Sequence, residues 1–361
     1  MNKNEYSKTI VFDSTDNSLI QRLIKIPPLK EGEILVKNEY VTLCKSDLNT
    51  FTGKRNEKNP TILGHEIVGR IFSFDKNAVM IDGLGSTLSV GDRITWSIYS
   101  SDPNSYFSKI GIPQKGENLF KYGHEKLTDK NTLHGGLAQY IILRKNTPII
   151  KLDEKIPLKI SAIINCAVAT VAGALRIAGE ILDKRVLVIG AGMLGVTACA
   201  MLKSSCAKFI ALADLDPQRL LLSQKFGSDI VFNTLELSAD EIEKKTGRFD
   251  LIFEFSGAPE SMETAMNLLD IGGTTIWVGA TFPQRDINLS AEKLIRNIHT
   301  IKGLHNYNKD DLISAVKFIE ANHDRYPFDN IIEDRFTLEQ AADAFNYAIN
   351  ANPLRAGIEI K

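Results

Sequence analysis

With 361 residues the chain exceeds what one hydrophobic core usually serves, so two domains are expected. A hydrophobic content of 43%, a charged content of 24% and a net charge of −1 describe an ordinary globular protein and argue against a nucleic-acid-binding or membrane-binding surface. Met1–Lys8 carries no apolar leader, and no run approaches the roughly 20 apolar residues of a membrane helix, so a cytoplasmic protein is expected.

Residues 1 to about 155 read as β-rich, with short strands such as Glu33–Lys37 and Gly136–Leu143 between polar turns. Cys44-Lys45-Ser46-Asp47 lies early in this half, and Gly64-His65-Glu66 follows, the imidazole 65 − 44 = 21 residues after the thiol. Much later, Asn165-Cys166 stands at the entrance to the region that follows. Two thiolates and one imidazole suit Zn²⁺ and leave a fourth position open, the arrangement of a catalytic zinc. Asp47 and Glu66 then read as supporting carboxylates, one orienting the His65 ring and the other able to approach the metal. A lone cysteine is more often a small buried hydrophobe, so Cys44 carries this reading only in company with the others. Four cysteines, Cys44, Cys166, Cys199 and Cys206, are too few for a disulfide framework, and the last two are expected as packing residues.

Strands and helices alternate from about Ile160 to Gly303. The run Val186–Ile189 ends in Gly190-x-Gly192-x-x-Gly195 and passes into helix-forming residues. In such a turn one glycine permits the bend, one lets backbone approach a pyrophosphate, and one lets the helix pack on its strand. A second run, Phe209–Ala213, ends in Asp214, 214 − 195 = 19 residues after the last glycine. A carboxylate there accepts the ribose hydroxyls of NAD and repels the extra phosphate of NADP; the alternative is an aspartate capping the helix near Pro217. Leu251–Phe255 and Thr274–Val278 are later strands, each followed by a glycine turn at Gly257 and Gly279. Amphipathic segments at Leu312–Ala321 and Leu338–Ile349 close the chain, and Ala356–Lys361 is a final strand expected to rejoin the first domain. His134 reads as a surface turn residue, and His299, His305 and His323 have no partner at metal spacing.

Taken together, Cys44-x-Ser46-Asp47, Gly64-His65-Glu66, Val90–Ile94, Gly135–Tyr140, Cys166 and the glycine turn resemble the zinc-dependent medium-chain dehydrogenase/reductases, the alcohol dehydrogenase superfamily, over essentially the whole chain. Gly111–Lys115, Leu119–Glu125, Asn165–Ala167 and Gly190–Gly195 are similar, more narrowly, to the phosphonate-catabolism-associated alcohol dehydrogenases. The resemblance implies an α/β protein, with a GroES-like β-rich catalytic domain of residues 1–160 and 306–361 and a Rossmann doubly wound parallel-sheet NAD-binding domain of residues 161–305.

It further implies a homodimer or homotetramer with one catalytic Zn²⁺ per chain on Cys44, His65 and Cys166. An alcohol would be oxidised there by hydride transfer to NAD. Ser46 matches the hydroxyl that takes the alcohol proton, Thr170 a residue beside the nicotinamide, and Lys45 a position facing the pyrophosphate, where a solvated side chain is the alternative. Met193, Leu194, Arg219, Ser256, Val278 and Gly279 match further cofactor contacts. Many relatives carry a histidine where Asn49 stands, and an amide takes up no proton near neutral pH. Relatives also hold a second, structural zinc on four cysteines; here those positions are Asp102, Ser105, Ser108 and Gly116.

Lys54 and Arg55 fall where the substrate entrance lies in the family, and Lys121 and His124 are further candidates for binding a phosphonate, with a solvated polar loop as the alternative. The expected reaction is oxidation of a hydroxyalkylphosphonate or its reverse. A threonine or polyol dehydrogenase is the second reading, and a non-catalytic dinucleotide sensor the third.

Overall fold

The computed structural model describes residues 5–361. It divides into one compact unit of Met1–Ala169, Asn308–Asp324 and Phe328–Lys361 and a second of Thr170–Tyr307 and Arg325–Pro327. The first boundary falls after Ala169, not after residue 160, because the segment carrying Cys166 packs with the β-rich half.

In the first unit a seven-stranded sheet runs in the order Ile332–Thr337, Arg355–Glu359, Ile34–Leu43, Glu66–Phe74, Arg93–Trp96 and Ile149–Lys151, with Tyr140–Leu143 also on Ile34–Leu43. Ile34–Leu43 is buried on both faces, which its dense Val, Leu and Tyr content permits. Val36, Val41, Ile67, Ile94, Trp96 and Ile141 form the centre of this core. The last strand pairs antiparallel with Tyr40–Leu43, so the chain's end returns beside Cys44. Gly136–Ala138 is not strand: Gly136 and Leu137 donate to the carbonyls of Gly64 and Leu63, and a Cβ on Gly135 would lie 1.9 Å from the Ile62 carbonyl oxygen. That close approach converts the first half of the expected strand into a support for the His65 loop.

The second unit holds six parallel strands in the order Ile230–Asn233, Phe209–Asp214, Arg185–Ile189, Phe249–Glu254, Leu269–Trp277 and Thr300–Gly303. Counted along the chain this is third, second, first, fourth, fifth, sixth, the doubly wound order of a Rossmann domain. The order reverses between Arg185–Ile189 and Phe249–Glu254, which places the binding crevice outside their carboxyl ends.

Three expectations need correction. Leu158–Ala178 is a continuous helical stretch of 21 residues, long and apolar enough to cross a membrane by composition, although no such run was expected. Most of it is buried in the protein, and a π-helical turn at Ile164–Val168 interrupts it. His134 is buried, not at a surface turn, because its carbonyl receives the Gly123 N–H and its ring packs edge-on against Phe120. Cys199 is buried in the helix Met193–Ser204, whereas Cys206 is exposed beyond the helix end at φ +58°, a left-handed turn that faces it away from the core.

Candidate active site

The helix Lys45–Phe51 begins at Cys44, whose backbone N–H donates to Asp47 Oδ2 at 3.0 Å. The other oxygen, Asp47 Oδ1, accepts from Gly64 N at 3.1 Å and lies 3.3 Å from His65 Nδ1. One buried carboxylate therefore fixes both the start of the Cys44 helix and the His65 loop. Gly64 has φ +88°, a conformation glycine adopts without strain, and this turns His65 inward.

Cys166 arrives from the π-helical turn; such bulges re-aim a side chain that a regular helix would place elsewhere. Its neighbour Asn165 donates to the His65 carbonyl at 3.0 Å and accepts from Ile67 N at 3.3 Å, tying this turn to His65 and to the strand Glu66–Phe74. The donor atoms of Cys44, His65 and Cys166 lie within 4.8 Å of one another.

Electrostatics fit a cation at their centre. The adjoining Cys166 thiol, with the Arg355 and His65 charges, holds the Cys44 thiol well below the usual range. Cys44 and burial push Cys166 well above it. Without a metal the pair carries one proton too many for two thiolates. Burial opposes a charge on His65, but Asp47 and Cys44 outweigh it and hold the ring well above its usual value. Two sulfurs and one imidazole are the donors a catalytic zinc takes, and the set fits that ion. Bound there, zinc would supply Lewis-acid polarisation of an alcohol oxygen.

Glu66 is fully buried and receives Arg355 through Nε at 2.6 Å and Nη2 at 2.8 Å, with Thr42 Oγ1 at 2.7 Å. Arg355 Nη2 also lies 3.7 Å from Cys44 Sγ. Burial raises the Glu66 carboxyl despite the guanidinium beside it. Arg355 carries no local sequence signal; it is recognised only once the last strand is seen to pair beside Cys44. Ser46 Oγ is 3.3 Å from His65 Nε2, and Asn49, half-buried on the same helix, accepts from Arg55 N at 3.0 Å through its carbonyl.

The basic candidates separate. Lys54 is exposed, whereas Arg55 Nε lies 2.6 Å and His124 Nδ1 3.2 Å from the same oxygen of Glu57. The His124 ring sits 5.0 Å from that of His65. Burial, with the nearby Arg55 and Lys115 charges, lowers Lys121 to about 8. Glu57, absent from the sequence reading, is thus the residue on which this group converges.

In the second unit the three glycines of the turn sit in three different surroundings. Gly190 has φ +101°, and a Cβ there would meet Ser256 N at 3.0 Å. A Cβ on Gly195 would lie 1.8 Å from the Gly190 carbonyl oxygen, while one on Gly192 meets nothing within 4 Å. Gly192 caps the helix Met193–Ser204, which starts two residues before Gly195, and leaves an open cradle at its N-terminus. Asp214 is not the cap of the next helix: Asp216 accepts from Gln218 and Arg219 N, whereas Asp214 Oδ2 accepts from Ala191 N inside the glycine turn at 2.5 Å. The residues present fit a dinucleotide.

Known sequence patterns match in both halves: the alcohol dehydrogenase GroES-like domain over residues 30–154 and the zinc-binding dehydrogenase over residues 194–321. The chain belongs to the zinc-binding alcohol dehydrogenase superfamily. An alcohol dehydrogenase from Thermotoga maritima superimposes with a TM-score of 0.92 at 25% identity, covering 99% of this chain and 100% of that one. D-arabitol-phosphate dehydrogenase from Enterococcus avium is 24% identical over 344 residues, 93% of this chain and 92% of that protein. L-threonine 3-dehydrogenase from Serratia proteamaculans is 23% identical over 328 residues, 89% and 90% of the two chains. This dehydrogenase is a zinc-type oxidoreductase of alcohols or polyols, with the GroES-like and Rossmann folds of its superfamily.

Proposed function

We propose that the enzyme transfers hydride between NAD and a small alcohol bearing a phosphorus oxyanion, a hydroxyalkylphosphonate, using one zinc held by Cys44, His65 and Cys166. The observation that carries the substrate reading is the convergence of Arg55, Lys121 and His124 around Glu57, beside His65. Arg suits a dianion through its planar fork, and a partly buried lysine strengthens the field. The likeness to a dehydrogenase of a phosphorylated polyol supports the same direction.

Asp214 supports NAD. Its carboxylate ends the second strand against the glycine turn, where a 2′-phosphate would be repelled, and Arg219 Nε lies 3.6 Å from Asp216 Oδ2. Within the second unit, Thr170, Met193, Leu194, Ser256, Val278 and Gly279 complete the proposed cofactor contacts. Ser46 takes the substrate proton beside His65; Asn49 cannot accept it, so the relay ends in water or on another group.

The absence of a second zinc is supported by the lobe itself. Ser108 Oγ donates to the Asp102 carbonyl at 2.7 Å, Ser105 Oγ donates to Ser108 Oγ at 2.9 Å, and a Cβ on Gly116 would lie 3.3 Å from Ser105 Oγ. Hydroxyl groups hold together the positions that carry thiolates in relatives. Self-association into a dimer or tetramer is in keeping with exposed Ile271, Ile295 and Ile298, which flank the Gly272–Asn297 hydrogen bond.

The second reading, a threonine or polyol dehydrogenase, is favoured by the L-threonine 3-dehydrogenase relative and by Glu57, an anion amid the cations. The deciding experiment measures NADH formation by the zinc-loaded enzyme with 2-hydroxyethylphosphonate, threonine, sorbitol and a neutral short alcohol, each repeated with NADP. Preference for the phosphonate supports the proposal; preference for threonine or sorbitol discards its substrate and keeps its zinc chemistry.

A further inference from the structure

Glu254 ends the strand Phe249–Glu254 and lies fully buried between Ile189 and Trp277, its register partners on the neighbouring strands. It therefore stands at the reversal of strand order, where Rossmann domains bind their ligand. Its Oε1 accepts from Ser256 N at 2.8 Å, from Gly257 N at 2.9 Å and from the Ser256 hydroxyl, and its Oε2 from Gly257 N at 3.1 Å. The turn it holds is interlocked with both neighbours. A Cβ on Gly190 would meet Ser256 N at 3.0 Å, and one on Gly257 would lie 2.6 Å from the Gly279 carbonyl oxygen.

Among the described residues, every group acting on this carboxylate is a neutral dipole; burial raises its pKa, and the Ser256 and Gly257 hydrogen bonds oppose that rise. A buried anion without a cation is costly, and such groups are ordinarily paired. The dinucleotide that fits this crevice brings a cation in one redox state only: the oxidised nicotinamide ring is a pyridinium, and the reduced ring is neutral.

We infer that Glu254 is a positioning residue of the dinucleotide crevice whose charge favours the oxidised over the reduced cofactor. Its hydrogen bonds set the Ser256–Gly257 turn for either form, and its charge acts on the difference between them. This rests on the dinucleotide reading above. Two unit charges ~10 Å apart at an effective dielectric of ~35, between protein and water, change an affinity by about fivefold.

Glu254→Gln keeps an acceptor for Ser256 N and removes the charge. The test titrates NAD and NADH separately by fluorescence, with thermal melting of each protein. The expected result is that the ratio of the NAD to the NADH dissociation constant rises about fivefold in Glu254→Gln. In Glu254→Asp, which keeps the charge, the ratio stays within about twofold of wild type even as the melting temperature falls. Weakening of both cofactors by the same factor in Glu254→Gln would overturn the charge role, as would a ratio that follows melting temperature in Glu254→Asp. Wild-type protein that binds neither dinucleotide would instead overturn the cofactor reading on which this one stands.

Discussion

Arg355 grips both oxygens of the buried Glu66 carboxylate, at 2.6 and 2.8 Å, from 289 positions further along the chain. The pair joins the end of the chain to the strand that carries Glu66 and leaves the guanidinium 3.7 Å from Cys44 Sγ. Breaking it strands a buried charge. Arg355→Met should destabilise the first unit by about 3–5 kcal/mol, and the double variant with Glu66→Gln should recover most of that loss. Urea unfolding of the two variants checks it; equal losses in both would show that the ion pair is not the source.

Gly195 and Gly192 should respond oppositely. Gly195→Ala drives a Cβ to 1.8 Å from the Gly190 carbonyl oxygen and should disrupt both stability and dinucleotide binding. Gly192→Ala meets open space, so its melting temperature should change little while dinucleotide affinity falls about tenfold through the blocked backbone approach. Calorimetric titration beside thermal melting separates the two effects.

Lys121 titrates near 8, so it is cationic below that pH and loses its charge as pH rises through it. KM for an anionic alcohol should therefore climb above about pH 8, while KM for a neutral alcohol stays level. Lys121→Met should flatten this difference. Parallel KM profiles for the two substrates in the wild type would remove Lys121 from substrate binding.

His134 is buried, neither ring nitrogen has a hydrogen-bond partner among the described residues, and burial pushes its pKa down to about 3. Above the unfolded value of about 6.5 both states are neutral and no stability is lost. As pH falls from there toward 3 the unfolded chain binds a proton that the folded one refuses, so stability drops by about 3 kcal/mol by pH 4. His134→Leu should lessen this acid sensitivity, read as melting temperature against pH.

What was legible in the sequence is what local spacing carries. The strand, glycine turn and helix around Gly190–Gly195 and the Cys44 and Gly64-His65-Glu66 segments are each set by neighbours a few residues apart. Cys166 was legible as a donor but not as part of a π-helical turn, since nothing in Ile164–Val168 departs from helical composition. Arg355 and Glu57 were missed because their partners come from distant segments or from a loop without periodicity. The strand at Gly136 failed because backbone approach to Ile62, not side-chain alternation, governs that segment. The Gly-Gly pair after His134 reads as a surface turn, yet those glycines let a buried turn pack closely.

The most direct measurement strips zinc from the enzyme with a chelator, restores it stepwise, and follows zinc content and alcohol-dependent NADH formation in wild type and Cys166→Ala. Activity should return in proportion to zinc up to one ion per chain, and Cys166→Ala should neither retain the metal nor turn over. Undiminished NADH formation by the stripped enzyme, or full zinc retention and turnover in Cys166→Ala, would contradict it.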